Sequence, residues 1–122
     1  MDVKLYDSEL KLMELLWESP DPLTAKEISQ LAASRIGWSR NTTYTVLTKL
    51  AAKGAIRREE PGFRCVPLAT REGVQRAETH TLLQRLFGGS KRAMVSALLE
   101  DAPLSPEEAD ELRAMIDRRT TR

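Results

Sequence analysis

Short hydroxyl and amide side chains crowd one segment of this sequence, WSRNTTYTVLTKLAAKG, which runs from Trp38 to Gly54. Its apolar residues recur at helical spacing, and at about 3.6 residues per turn the opposite face carries Asn41, Thr45 and Thr48. Glutamate and lysine would be better helix formers at exposed positions. Short donors and acceptors, by contrast, can reach base edges or phosphate oxygens without holding a helix out of the major groove. The segment therefore predicts a helix that lies against duplex DNA.

The residue types on this face suit different DNA contacts. Asparagine can pair with adenine through two hydrogen bonds, a threonine methyl can touch a thymine methyl, and serine, threonine and tyrosine hydroxyls can bind phosphate. Arg40 falls in the first helical turn, where the helix dipole disfavours a cation unless an anion docks there. The alternative is a helix face that is merely exposed and polar. The predicted DNA contacts are Ser39, Arg40, Asn41, Thr42, Tyr44, Thr45, Thr48, Lys49 and Lys53, followed by Arg57, Arg58 and Arg64.

Positive charge is concentrated around this segment. The net charge is only +1, and both ends of the chain are acidic. Between Arg35 and Arg71, however, eight basic residues face only Glu59 and Glu60. A basic region beside a polar helix favours a nucleic-acid partner. A solvated basic face without a partner is the alternative.

The sequence offers little from which to build a catalytic or metal site. His80 is the only histidine and Cys65 the only cysteine, so neither a disulfide within the chain nor a cysteine-cluster metal site is expected. We predict no enzyme activity, no metal and no cofactor. No apolar run approaches the roughly 20 residues that cross a bilayer, and the N-terminus lacks the pattern of a signal peptide. We therefore expect a cytoplasmic protein without membrane insertion.

Local signals predict the elements that position the polar helix. Asp7 can cap a helix that ends near Glu18, Thr24 and Glu27 form a capping box for a second helix that ends near Gly37, and Ser39 caps the third. Two strands, 55–59 and 63–68, are joined by a turn through proline and glycine. Three short helices followed by a hairpin are typical of a winged helix-turn-helix domain, predicted here at residues 1–69.

The rest of the chain, residues 70–122, predicts a C-terminal region of three helices at 70–87, 90–100 and 105–118. Their apolar stripes are wider than three short helices can cover among themselves, which favours a homodimer. Packing back onto the first domain is the alternative. The overall fold class is mainly α: a winged helix-turn-helix domain with a small β-hairpin wing plus this dimerisation region. The predicted dimerisation residues are Leu82, Leu83, Leu86, Phe87, Met94, Val95, Leu98, Leu99, Leu112, Met115 and Ile116.

Several motifs together resemble the BlaI/MecI penicillinase repressors, a family of bacterial transcription regulators: LYDSELKLMELLWE, LTAKEISQLA, WSRNTTYTVLTKLAAKGAI, LFGGS and LSPEEADELRAMID. The resemblance covers nearly the whole chain in order. It implies a homodimeric winged-helix repressor that binds a palindromic double-stranded DNA operator, with 39–53 as the groove-reading helix and 55–68 as the wing. The remaining alternative is a winged-helix module that binds another protein and not DNA.

The resemblance also implies a membrane sensor protease that cuts members of the family within the dimerisation helices. Aligned from LLEDAPLS, the cleaved bond would fall between Ala97 and Leu98. The asparagine and phenylalanine typical of that bond in the family are absent at these two positions.

Overall fold

The computed structural model describes residues 3–121; Met1, Asp2 and Arg122, at the ends of the two predicted domains, lie outside the described residues. The elements are α1 (Asp7–Glu18), β1 (Leu23–Thr24), α2 (Ala25–Arg35), α3 (Arg40–Ala52), β2 (Ile56–Glu59), β3 (Arg64–Pro67), α4 (Arg71–Phe87), α5 (Lys91–Glu100) and α6 (Pro106–Arg118). The predicted fold class, mainly helical with a small β-hairpin, is confirmed.

The chain forms two compact units that divide inside α4, between His80 and Thr81. The sequence predicts a boundary earlier, at residue 69, where the hairpin ends. The difference has a packing cause, because Val74 in the first turns of α4 is only 4% exposed and belongs to the core of the first unit. The start of α4 thus belongs to the core of the first unit.

That core is built from the apolar stripes of the first three helices. Leu12 and Met13 of α1, Ile28 of α2, and Leu47 and Leu50 of α3 are almost completely buried. The helical periodicity of the sequence predicts all five of these buried positions, since residues three and four apart share one helix face. The core therefore fixes the rotation of each helix about its axis.

The predicted cap of α1 at Asp7 is wrong by one residue. Tyr6 is the N-cap and Asp7 the first helical residue. The Tyr6 backbone N–H donates to Glu9 Oε1 at 2.8 Å, so the carboxylate of Glu9 satisfies one of the unpaired N–H groups at this helix start. The capping box of α2 is confirmed: Glu27 N–H donates to Thr24 Oγ1, and Thr24 N–H donates to Glu27 Oε1.

The sheet has three antiparallel strands in the order β1-β3-β2. The two predicted strands form, each slightly shorter than expected, and β1 is an addition that the sequence does not signal because it has only two residues. Leu23 of β1 pairs with Cys65, which also faces Arg58 of β2. Cys65 is fully buried, and burial raises the pKa of its thiol to about 11.

The second unit consists of the rest of α4 with α5 and α6. Ser90 and Ser105 cap α5 and α6 through their hydroxyl oxygens. Among the described residues, α5 and α6 contain no buried side chain. Of the predicted dimerisation residues, Leu82, Leu83, Phe87 and Met94 are half-buried, whereas Leu86, Val95, Leu98, Leu99, Leu112, Met115 and Ile116 are exposed.

Candidate nucleic-acid interface

The orientation of α3 is set by its buried stripe. Thr43, Val46, Leu47 and Leu50 face the core, as predicted. Because these four residues fix the rotation of the helix, Asn41, Thr45 and Thr48 lie together on its exposed side. The predicted polar face is therefore a real surface of the folded chain.

Helix α3 starts at a satisfied cap. Ser39 Oγ accepts the backbone N–H of Thr42 at 3.2 Å, and the Ser39 hydroxyl donates to Thr42 Oγ1 at 3.0 Å. These two exposed side chains are thereby held at the N-terminal end of the helix, where the helix dipole favours an anion.

The threonines of the exposed face donate their hydroxyl protons to backbone carbonyls of α3 itself. Thr45 Oγ1 donates to the carbonyl of Asn41 and Thr48 Oγ1 donates to the carbonyl of Tyr44, both at 2.9 Å. Each hydroxyl therefore keeps only its acceptor capacity, and the methyl group is its other outward-facing feature. Asn41 is the side chain on this face with both donors and an acceptor to offer.

Two cations without an ionic partner flank this face. Arg40 and Lys49 are exposed, and among residues 3–121 neither lies within 4 Å of a carboxylate. The Arg40 guanidinium lies 5.2 Å from the ring centre of Tyr44, which is half-buried against the core. No acidic residue stands in the first turn of α3. The helix therefore presents positive charge at both ends of its polar face.

The hairpin carries less free positive charge than its arginines suggest. Arg57 is paired with Glu59 at 2.8 Å, and Arg58 is paired with Glu60 at 3.2 Å and stacked 3.5 Å from the centre of the Phe63 ring. Alternation along β2 places Arg57 and Glu59 on one face of the strand, whereas Glu60 follows the end of β2.

Arg64 is the exception on the hairpin, since among the described residues it has no carboxylate within 4 Å. The pKa of Glu27 lies below its ordinary value because of the hydrogen bonds from Thr24, and the charge of Arg64 contributes to the same shift. Arg64 is therefore the free cation of the wing within residues 3–121.

Lys53, which the sequence groups with the DNA contacts, is engaged within the protein. Its Nζ donates to the carbonyl of Lys4 at 2.8 Å and to Glu9 Oε1. The partner Glu9 is 1% exposed and was not identified from the sequence. A signal was available, because Glu9 precedes Leu12 by three residues and Met13 by four and so shares their buried stripe.

Two observations concern other kinds of site. Within the described part of the chain, no cluster of three or more potential metal ligands occurs. Over the same residues, none of the helices has the length and apolar character needed to span a bilayer.

The comparison with known proteins gives the family. The family described as penicillinase repressor matches residues 5–118 of this chain. The chain belongs to the penicillinase repressor family.

Relatives of this family align along nearly the whole chain. The penicillinase repressor of Bacillus licheniformis is 29% identical over 121 residues, which are 98% of this chain and 94% of the relative. The methicillin resistance regulatory protein MecI of Staphylococcus aureus strain N315 is 23% identical over 98% of this chain and 100% of the relative. The transcriptional regulator BlaI of Mycobacterium tuberculosis is 29% identical over 93% of this chain and 83% of the relative.

Solved structures support the winged-helix fold. The DNA-binding domain of the repressor BlaI matches with a TM-score of 0.54 and 24% identity, over 60% of this chain and 90% of that domain. The monomeric form of Bacillus licheniformis BlaI in complex with the blaP half-operator matches over the same shares with a TM-score of 0.53. The penicillinase repressor family and this fold thus agree with the architecture described above.

Proposed function

We propose that this member of the penicillinase repressor family is a transcriptional repressor of the cytoplasm that binds operator DNA through the exposed face of α3. The observation that carries the proposal is that packing against the core leaves Asn41, Thr45 and Thr48 exposed between Arg40 and Lys49, neither of which pairs with a carboxylate among residues 3–121. A relative whose structure is described as a complex with a half-operator adds support. No catalytic role is part of the proposal.

The proposed contacts follow from what each side chain still has free. Asn41 pairs with an adenine edge, and the methyl groups of Thr45 and Thr48 pack on thymine methyls because their hydroxyl protons are already used. Arg40 and Lys49 bind phosphates on either side of the groove. Thr42 and Tyr44 donate their hydroxyl protons to phosphate near the helix start, where Ser39 holds Thr42 in place through its own hydroxyl proton, and Arg64 adds a phosphate contact from the wing.

We also propose that two copies bind together. The seven exposed apolar side chains of the second unit, from Leu86 to Ile116, would be covered by the same surface of a second chain related by a two-fold axis. A dimer presents two copies of α3 to two half-sites of a palindrome. Repression is then steric, because the bound dimer occupies the promoter.

Relief by a sensor protease is not part of the proposal. Ala97 and Leu98 are both exposed, but they lie inside the regular helix α5. The residues typical of the cleaved bond in the family are absent. The proposed repressor therefore rests on DNA contact and dimerisation alone.

The test is DNA binding measured against salt concentration. Duplexes selected by the protein from a random pool should show a palindromic motif, and affinity for them should fall steeply with salt because counterions are released from the phosphates. Arg40→Ala and Lys49→Ala should each weaken binding and reduce the slope of log affinity against log salt by about 0.9.

Arg92→Ala is the matched control, since Arg92 occupies the first turn of α5 as Arg40 does that of α3. It should leave both the affinity and the slope unchanged. Binding that is insensitive to salt, or the absence of any selected duplex, would instead support a module that binds another protein.

A further inference from the structure

A buried carboxylate joins two distant parts of the first unit. Glu9, near the start of α1, is 1% exposed, and its Oε1 accepts hydrogen bonds from the backbone N–H of Tyr6 and from Lys53 Nζ at the end of α3. Its other oxygen, Oε2, is buried without a hydrogen-bond partner among the described residues. The Lys53 ammonium also donates to the carbonyl of Lys4 and lies 4.4 Å from the ring centre of Tyr6.

Helix capping does not account for the burial of Glu9. Glu27 stands at the corresponding third position of α2, makes the same hydrogen bond to its own N-cap residue, and remains exposed. Burying a carboxylate with one oxygen unsatisfied is unfavourable compared with that exposed arrangement. The feature that Glu9 has and Glu27 lacks is its ion pair with the far end of another helix.

The position of Lys53 decides what this pair holds in place. Lys53 is the C-cap of α3, and the next residue, Gly54, has a φ of +79°, which turns the chain toward the wing. The N–H of Ala55 donates to the carbonyl of Leu50, and β2 begins at Ile56. The ion pair at Lys53 therefore restrains both the last turn of α3 and the start of the wing.

We propose that Glu9 and Lys53 form a clasp that orients α3 and the wing for DNA binding, so that Lys53 is a positioning residue and not a phosphate contact. The inference rests on the proposed function for its consequence in DNA binding. The Lys53 ammonium donates to the carbonyl of Lys4 and to Glu9 Oε1 and lies over the ring of Tyr6, so these three groups occupy it on the protein side. Lys49, one turn earlier on α3, is exposed and without an ionic partner among residues 3–121.

The substitution Glu9→Gln separates the two roles by the sign of its effect. It keeps the size of the side chain and an acceptor for Tyr6 N–H but removes one negative charge. If Lys53 bound phosphate, the loss of its competing carboxylate would strengthen DNA binding and steepen the salt dependence. If the clasp positions α3, Glu9→Gln weakens binding.

The experiment uses a duplex selected by the wild-type protein from a random pool, titrated over a range of salt concentrations. We expect Glu9→Gln and Lys53→Met each to weaken binding roughly tenfold at every salt concentration, with the slope unchanged, and the double variant to be no weaker than the worse single variant. Lys49→Met should reduce the slope by about 0.9. Glu14→Gln is the control on the same helix, since its carboxylate pairs with Arg71 and not with a residue of α3 or the wing, and it should change neither quantity.

Three outcomes would overturn the clasp: a slope lowered by Lys53→Met as much as by Lys49→Met, tighter binding by Glu9→Gln, or a double variant whose loss equals the product of the single losses.

A second measurement does not need DNA. In the free protein, Glu9→Gln should accelerate amide hydrogen exchange at Lys53, Gly54 and Ala55 but not at Ile36, the C-cap of α2.

The two measurements separate failure of the clasp from failure of the proposed function. A wild-type protein that selects no duplex contradicts the proposed function, whereas exchange rates at Lys53, Gly54 and Ala55 that stay the same in Glu9→Gln contradict the clasp.

Discussion

Replacing Leu98 by alanine tests the proposed dimer at its most exposed apolar side chain. Leu98 lies on α5 and leaves 67% of its surface accessible in the single chain. The substitution removes three carbon atoms, and the burial of each contributes about 0.8 kcal/mol. Because a partner can cover only the 67% of the side chain that is exposed, the loss is about 1.6 kcal/mol for each copy. A two-fold interface contains the residue twice. The dimer should therefore lose about 3 kcal/mol, a roughly two-hundredfold increase in its dissociation constant.

Sedimentation equilibrium over a range of protein concentrations measures this constant directly. Leu10→Ala is the control, because Leu10 lies on α1 in the first unit and is 37% exposed. Circular dichroism should show the same helix content in both variants, since Leu98 is exposed and contributes little to the fold of the single chain. A dissociation constant that shifts no more for Leu98→Ala than for Leu10→Ala would refute the argument, as would a wild-type protein that is monomeric at every concentration.

Four further substitutions or reactions test other parts of the structure. Asn41→Ala should relax base preference at one position of each half-site by about 1–3 kcal/mol in selection from random duplexes, and an unchanged preference would contradict the register of α3. Arg64→Ala should lower the salt slope of DNA binding by about 0.9, whereas Arg57→Ala should lower it much less because Glu59 already pairs with Arg57; equal slopes would disprove this assignment. Burial opposes ionisation of Glu9, but hydrogen bonds from Lys53 and Tyr6 N–H and the nearby charges outweigh it and lower its pKa. The ionised form therefore stabilises the fold above the ordinary glutamate pKa of about 4.3, and this stability is lost as the pH falls through the lower folded value, so Glu9→Gln should flatten the acid side of the unfolding free energy measured in urea. A parallel decline in both proteins would count against the shift. The thiol of Cys65, with its pKa raised to about 11, should resist alkylation near pH 8.5 until urea unfolds the chain, and rapid labelling of the native protein would show that the thiol is accessible.

Most of the candidate interface is predictable from the sequence because its signals are local. The stripe of Thr43, Val46, Leu47 and Leu50 and the Ser39 cap depend on residues within two helical turns, and together they fix which side of α3 is exposed. The hydrogen bonds of Thr45 and Thr48 to carbonyls four residues earlier are equally local. The pairing of Arg57 with Glu59 also follows from strand alternation, because residues two apart on a strand share one face; the net charge of the chain does not indicate this pair.

The tertiary structure decided the features that join residues far apart in the chain. Glu9 and Lys53 are 44 positions apart, and Trp17 Nε1 donates to the carbonyl of Ala69 across 52 positions. The two-residue strand β1 forms because it pairs with Arg64 and Cys65 of β3. The first turns of α4 belong to the first core because the side chain of Val74 packs into it. Periodicity and capping report on neighbours along a helix, and they carry no information about which buried group will meet which cation once the helices pack. The sequence by itself therefore determined the polar face of α3, and the packed fold decided that Lys53, at the end of that helix, pairs with the buried carboxylate of Glu9.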